Sequence, residues 1–381
     1  MRIGLLGHGI VGSGVSGIID AGRTPQVAGL HVARILVRDA AGQDDPRLTA
    51  DFAVIAADPS IDVVVECMGG IHPAYEYVKA SLAAGRPVVT SNKKMLACCY
   101  RDLMETARAA GVALMYEASV GGGIPWIAHL TALRRVDEVT SFRGILNGTT
   151  NYILDRMTAQ GQAFGPMLTQ AQQLGYAESD PSEDIDGDDV RYKCFLSAAA
   201  AFGAGGPLES IPAYGIRSIS AQDIAYAARR GRTIKLVGHG TDRPTGLGLY
   251  VMPAMLKDDD MLSHVPLNYN GMETVSTTLG RTGLMGQGAG AQPTAHAMVQ
   301  DVLAIAAGAR PQPALTVKPI ANDVTASRFY LRTRAAARLK GIMDEGIDDE
   351  SFISRPLTLD GLRTAIAGID DGRMFVAEVE A

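Results

Sequence analysis

Two residues four positions apart, Asp189 and Lys193, stand in an alanine-rich segment that reads as a helix over Asp189–Phe202. At that spacing they share one helix face. On a solvated surface such a pair contributes a few tenths of a kcal/mol. Lining a cleft, it becomes an acid/base unit: the carboxylate holds the ammonium, and the ammonium gives a proton to an oxygen that is gaining negative charge. Spacing alone leaves both readings open. Upstream lies Leu174-Gly175-Tyr176-Ala177-Glu178-Ser179-Asp180-Pro181, continuing to Asp184. A calcium loop over Asp184, Asp186 and Asp188 fails, because Asp189 stands where the turn needs glycine and Phe195 where it needs glutamate.

A second set of residues suits a dinucleotide. Gly7-His8-Gly9-Ile10-Val11-Gly12 follows an apolar run and opens a helical pattern, which is the context this fingerprint requires. Gly7 permits the tight turn, Gly9 lets a pyrophosphate approach the backbone, and Gly12 lets helix and strand pack closely. The first N–H groups of the helix, at Ile10 and Val11, then face the phosphates. At the end of the next strand stand Arg38 and Asp39. An acid there grips a ribose 2′-hydroxyl and an arginine accommodates a 2′-phosphate; Arg38 comes first, which favours NADP over NAD. Asn92 and Lys93 leave a further strand end, where a lysine can meet an anionic substrate or a developing alkoxide. The run Glu117-Ala118-Ser119-Val120-Gly121-Gly122-Gly123-Ile124 leaves another. Its glycines expose main-chain oxygens to a ligand or a cation, or make a hinge.

The elements that must carry these residues alternate. Strands are expected at Arg2–Leu6, His31–Val37, Asp62–Cys67, Pro87–Thr90 and Val112–Tyr116, and helices at Ile10–Ala21, Ala74–Ala84 and Lys94–Ala110. That repetition predicts an α/β fold, a Rossmann-type doubly wound parallel sheet with right-handed crossovers. After the glycine run the pattern turns α+β. It has a threonine-rich turn, strands at Lys235–Gly238 and Gly246–Met252, and a helix at Thr294–Ala307 after a second glycine cluster. Residues 1–130, with a returning segment near 286–310, are expected to form the dinucleotide-binding domain. Residues 131–285 would form a substrate-binding and dimerisation domain, and 311–381 a short, poorly patterned C-terminal tail of degenerate regulatory type.

Composition excludes several classes. The chain has 381 residues, 47% hydrophobic and 20% charged, with a formal net charge of −6. Basic residues are scattered, so no nucleic-acid partner is expected. No apolar stretch reaches membrane-spanning length, so no membrane is expected. The start reads as a strand entering a loop and not as a secretory signal, so a cytoplasmic location is expected. The four cysteines and seven histidines lack redox or zinc spacing. Cys98 and Cys99 fall inside a helical pattern, where buried packing is expected.

The segments DVVVECMGG, VVTSNKKMLA, YEASVGGGIP, GILNGTTNYIL, LGYAESDPSEDIDGDDVRYK and GQGAGAQPTA resemble those of homoserine dehydrogenases, in the same order, over roughly residues 1–310. The resemblance implies reversible reduction of aspartate 4-semialdehyde to homoserine with NADPH or NADH, in threonine and methionine biosynthesis, by a homodimer. It implies Lys193 as proton donor, with Asp189 and Lys93 as active-site partners. Glu178 would grip the substrate ammonium, with Asp184, Gly148, Thr149 and Tyr176 beside the substrate. Gly288 would return to the cofactor. Main-chain oxygens of Glu117, Val120, Gly122 and Ile124 fall where some members bind a sodium or potassium ion. Arg328–Arg332 resembles the first strand of an appended regulatory domain, without the Asp-Lys-Pro-Gly turn that usually follows. Two alternatives are a reductase of another amino aldehyde and a non-catalytic dinucleotide-binding sensor. The sensor reading is opposed by retention of Lys93, Glu178, Asp189 and Lys193.

Overall fold

The computed structural model describes the whole chain except residues 41–43, 324–325, 370 and 381. It divides into two compact units. The first comprises Met1–Ala132, Ala199–Gly203 and Gly286–Thr316; the second comprises Leu133–Ala198, Ala204–Met285 and Val317–Ala381.

The first unit is built on six strands: β1 (Arg2–Leu6), β2 (His31–Leu36), β3 (Leu48–Thr49), β4 (Val63–Glu66), β5 (Val88–Thr90) and β6 (Leu114–Met115). Their order is β3-β2-β1-β4-β5-β6 and every pairing is parallel. This is the doubly wound order, whose direction reverses between β1 and β4. Strands buried on both faces read as continuous β-branched runs, as Val63-Val64-Val65 does. Helix Ile10–Ala21 ends at Gly22 in the left-handed conformation, a C-cap that satisfies one of the last free carbonyls. Against it packs the returning helix Ala291–Ala306. A Cβ on Gly14 would lie only 3.0 Å from the Cβ of Ala295. Ile3, Leu5, Val15, Ala295, Met298 and Val302 share the core between them.

The second unit holds a long mixed sheet. Its order runs Gly280–Gln287, Tyr269–Ser276, Val139–Ile145, Arg232–Arg243, Gly246–Lys257, Phe375–Val379, Ala326–Arg332, Ser351–Ser354, Met343–Gly346. Two of its strands run longer than the sequence pattern shows, each twelve residues, because they pair with one another along their whole length. The threonine-rich segment is not a turn alone: it opens a 13-residue helix, Gly148–Gln160.

The last sixty residues also differ from a poorly patterned tail. Their described residues form strand, one 3-10 turn (Ala336–Leu339), three strands, helix (Leu359–Ile366) and strand, around Phe329, Leu331, Phe352, Leu362 and Val376. This is a split βαβ arrangement whose first helix has shrunk to a single turn. Its final strand joins the rest of the sheet by parallel pairing at Ala254 and Met255. Arg332 and Tyr330 both hydrogen-bond the fully buried Asp223, anchoring the arrangement to helix Ala221–Arg229. Cys98 is exposed and Cys99 half-buried at a kink in helix Lys93–Ala110, so buried packing does not hold for this pair.

Candidate active site

In the first unit the glycine turn has the form its sequence requires. Gly7 sits at φ +94°, a region open to glycine, and its N–H donates to Leu36 O at 3.0 Å. A Cβ on Gly12 would lie 2.1 Å from Gly7 O, so only hydrogen fits where helix meets turn. A Cβ on Gly9 would meet nothing within 4 Å. Gly9 is the N-cap, no side chain caps the helix there, and Ile10 is 76% exposed. Ile10 and Val11 therefore present N–H groups at an open, positively polarised helix end, which fits a dinucleotide pyrophosphate. Arg38 and Asp39 are exposed just beyond β2.

Asn92 caps the helix that begins at Lys93 by accepting from Met95 N at 3.2 Å. Its side-chain amide donates to Gly70 O at 2.7 Å. Lys93 is half-buried in the first turn. The Glu117–Ile124 loop doubles back through Gly121 and Gly122, both at positive φ. A side chain at Gly122 would strike the backbone of Gly288, so the two glycine clusters touch within this unit. Glu117 O accepts from Val120 N and Ile124 O from Trp126 N, which leaves each carbonyl a second lone pair.

Three buried carboxyls also lie in this unit, and sequence reading singled out none of them as an acid. Glu66 closes β4 and is pushed up to about 7 by burial. The Glu117 carboxyl accepts from Ile127 N and Ala128 N, yet burial pushes it up to about 7 as well. Asp301 is pushed up to about 8 by burial, against the lowering effect of the hydrogen bond it accepts from Glu117 N at 2.8 Å and with a smaller push from the Glu117 charge. Each of these groups binds its proton more tightly folded than unfolded. Their contribution to stability is therefore full below about pH 4, the range of free carboxyls. It is lost as pH rises through 7 to 8. We expect the urea midpoint to fall between pH 5 and pH 8, and Asp301→Asn to flatten that slope. A midpoint that rises across this range, or a slope untouched by the substitution, overturns the assignment.

The second unit gathers a buried ammonium–carboxylate cluster. Helix Asp188–Phe202 lies close on strand Arg232–Arg243, where a Cβ on Gly238 would come within 2.3 Å of Cys194 Sγ. That approach seats Lys193, the neighbour of Cys194, in the interior. Lys193 Nζ donates to Asp189 Oδ2 at 2.7 Å and to Leu146 O at 2.7 Å. The two side chains are 9% and 2% exposed, so the bland reading of a solvated surface pair fails. Asn147 completes the group. Its amide donates to Asp189 Oδ2 at 2.8 Å and to Asp184 Oδ1 at 2.7 Å, while its Oδ1 caps helix Gly148–Gln160 through Thr150 N.

Gly148 begins that helix, and Thr149 Oγ1 donates to Tyr176 O at 2.5 Å. The Tyr176 ring tilts against Tyr152. Glu178 stands apart: its side chain is exposed on the turn after Tyr176, and its main-chain oxygen accepts from the Gln172 side chain. Of the residues named from the sequence, Lys193, Asp189 and Asp184 lie together; Asn147, which joins them, was not among those named, although the Asn-Gly-Thr run held an N-cap signature. It also passed over Glu66, whose signal was a lone acid closing a β-branched run.

A doubly wound sheet with an open glycine turn at its reversal point, in a chain that also buries an ammonium–carboxylate pair, defines an oxidoreductase of the nicotinamide-dependent class. Residues 7–117 match the family profile described as the NAD binding domain of homoserine dehydrogenase, and residues 125–303 match the profile described as homoserine dehydrogenase. The homoserine dehydrogenase of Synechocystis sp. is 41% identical over 361 residues, covering 87% of this chain and 82% of that one. That of Helicobacter pylori is 37% identical over 312 residues, covering 80% and 74%. The crystal structure of a homoserine dehydrogenase from Thiobacillus denitrificans matches with a TM-score of 0.90 at 30% identity, over 100% of this chain and 98% of that one. The chain belongs to the homoserine dehydrogenase family.

Proposed function

We propose that this chain reduces L-aspartate 4-semialdehyde reversibly to L-homoserine, as a step toward threonine and methionine. The carrying observation is the buried Lys193 ammonium, clamped by Asp189 and the Leu146 carbonyl. The nicotinamide dinucleotide, when bound, supplies the hydride that reduces the aldehyde carbon. The aldehyde oxygen becomes an alkoxide, and Lys193 neutralises it and delivers the proton. Asp189 keeps that nitrogen charged and aimed, and Asn147 fixes Asp189 against Asp184. No side chain needs to form a covalent bond. The acyl chemistry of a semialdehyde dehydrogenase would need an activated thiolate, whereas burial pushes the Cys67 and Cys194 thiols up.

In this reading Glu178 receives the substrate ammonium, with Gly148, Thr149, Tyr176 and Asp184 around the amino-acid end and Lys93 as the second cation of the site. Gly7, Gly9, Ile10, Val11, Gly12, Asn92 and Gly288 serve the dinucleotide. Arg38, exposed beyond β2, supports NADP over NAD. A hyperthermophilic archaeal homoserine dehydrogenase in complex with NADPH, 24% identical with a TM-score of 0.69, shares the fold. The main-chain oxygens of Glu117, Val120, Gly122 and Ile124 belong to one loop and suit a monovalent cation in type. A homodimer working in the cytoplasm completes the proposal. Among the described residues no helix is long and apolar enough to cross a membrane.

Steady-state oxidation of homoserine with NADP and with NAD in turn tests the reading. Turnover with a lower KM for NADP is expected; tight NADPH binding without turnover would favour the sensor alternative. Glu178→Ala should raise the homoserine KM by about 10- to 100-fold, the worth of one charge-assisted hydrogen bond, and leave kcat within a few fold. An unchanged KM removes Glu178 from the role.

A further inference from the structure

The C-terminal edge of the parallel sheet holds a carboxyl that the acid/base scheme does not use. Glu66 is the last residue of β4, opposite Leu6 on one side and Thr90 on the other, so it stands where the sheet order reverses, one residue from Gly7 in register. It is 0% exposed. Its Oε1 accepts from Met68 N at 2.6 Å, and its Oε2 accepts from Thr90 Oγ1 at 2.5 Å. The Asn92 side chain donates to it as well. Thr90 Oγ1 in turn accepts from Asn92 N at 3.0 Å. One carboxylate therefore gathers donors from two loops that leave neighbouring strand ends, Met68–Gly70 and Ser91–Lys93. Asn92 ties the same loops a second time through Gly70 O.

We propose that Glu66 is a positioning residue for the dinucleotide: it acts through Thr90 and Asn92 to fix the two strand-end loops, and with them the start of the helix that carries Lys93. The inference rests on dinucleotide binding at the glycine turn of this unit. The donor pattern requires an acceptor-only group. The Thr90 hydroxyl receives Asn92 N and gives its own proton to Glu66 Oε2. A proton on Oε2 takes away the acceptor that this hydroxyl uses, so the hydroxyl must turn its own hydrogen elsewhere and the tie to the loop weakens. Burial sets this protonation near neutrality. The Cys67 thiol, on the residue after Glu66, is pushed up by burial and by the Glu66 charge and stays neutral over this range. The polar groups set against Glu66 from the neighbouring strand and loop are the hydroxyl of Thr90 and the amide of Asn92, and neither titrates.

The experiment compares full-length wild type, Glu66→Gln, Thr90→Ser and Thr90→Val in homoserine oxidation between pH 6 and 9, with fluorescence titration of NADPH in parallel. In wild type the dinucleotide KM and NADPH Kd should rise about tenfold below an inflection near neutrality. Glu66→Gln, which puts an amide donor into a donor-only cluster, should show the weakened values at every pH, lose the inflection, and keep kcat at saturation within threefold. Thr90→Ser should behave as wild type and Thr90→Val as Glu66→Gln. The proposal is overturned if the inflection persists in Glu66→Gln. It is equally overturned if kcat falls while the dinucleotide KM and Kd do not move, or if Thr90→Val matches wild type. A wild type that binds NADPH but turns over no homoserine defeats the substrate reading and leaves the Glu66 comparison to the NADPH titration. Should Glu66→Gln fail to fold, the serine–valine pair at position 90 decides.

Discussion

Lys193→Ala should lower kcat for homoserine oxidation by about 10²- to 10⁴-fold, the range over which a positioned proton donor acts. A fall of less than about tenfold, under roughly 1.4 kcal/mol of barrier, removes Lys193 from the chemistry. The same substitution leaves Asp189, only 2% exposed, without the ammonium it accepts from. Breaking a buried pair in this way costs about 3–5 kcal/mol of stability. Lost activity could then report a weakened fold, and a second variant separates the two. Lys193→Met combined with Asp189→Asn removes both charges and keeps the volume. Neutral replacements of buried pairs are often harmless to stability. The double variant should regain most of the melting temperature and stay inactive. Activity that returns with stability would show that the pair serves the fold alone.

The second large effect concerns the glycine turn. Gly9→Ala and Gly12→Val should part company. At Gly9 the backbone has an ordinary φ of −79°, and an added methyl meets nothing within 4 Å. Alanine there should leave the melting temperature unchanged or slightly raised, since it restricts the unfolded chain. The methyl nevertheless occupies the open helix end proposed for the pyrophosphate. The dinucleotide KM should rise more than about tenfold, a loss of at least ~1.4 kcal/mol of binding. At Gly12 the added Cβ would lie 2.1 Å from Gly7 O, and Gly7 is held in place by its own N–H to Leu36 O at 3.0 Å. Gly12→Val should therefore lose both stability and dinucleotide binding. An unaltered KM in Gly9→Ala would falsify phosphate binding at this turn.

Legibility in the sequence followed the range of the interactions. The first unit was readable because its strands are buried runs and its helices end at glycines: Arg2–Leu6 and Ile10–Ala21 occur as the periodicity and Gly22 indicate. The Asp189–Lys193 pair was readable for the same reason, as a contact one helical turn long. Their burial was not, because it depends on Gly238 in a strand some forty residues away. Asn147 escaped notice since its value lies in joining Asp184 to Asp189, two residues far from it in the chain. The C-terminal strand Ser351–Ser354 looked unpatterned because it is short and buried on both sides, so no alternation marks it.

The discontinuity of the two units has a consequence for biogenesis. Helix Ala291–Ala306, which covers helix Ile10–Ala21, is made some 280 residues after it. At translation rates of about 5–20 residues per second, the glycine turn and its apolar helix wait on the order of 15–60 s on the ribosome without their cover. The second sheet waits longer still, for Phe375–Val379 is inserted between strands made earlier. Nascent chains should therefore remain protease-sensitive and chaperone-bound until Phe375–Val379 has emerged.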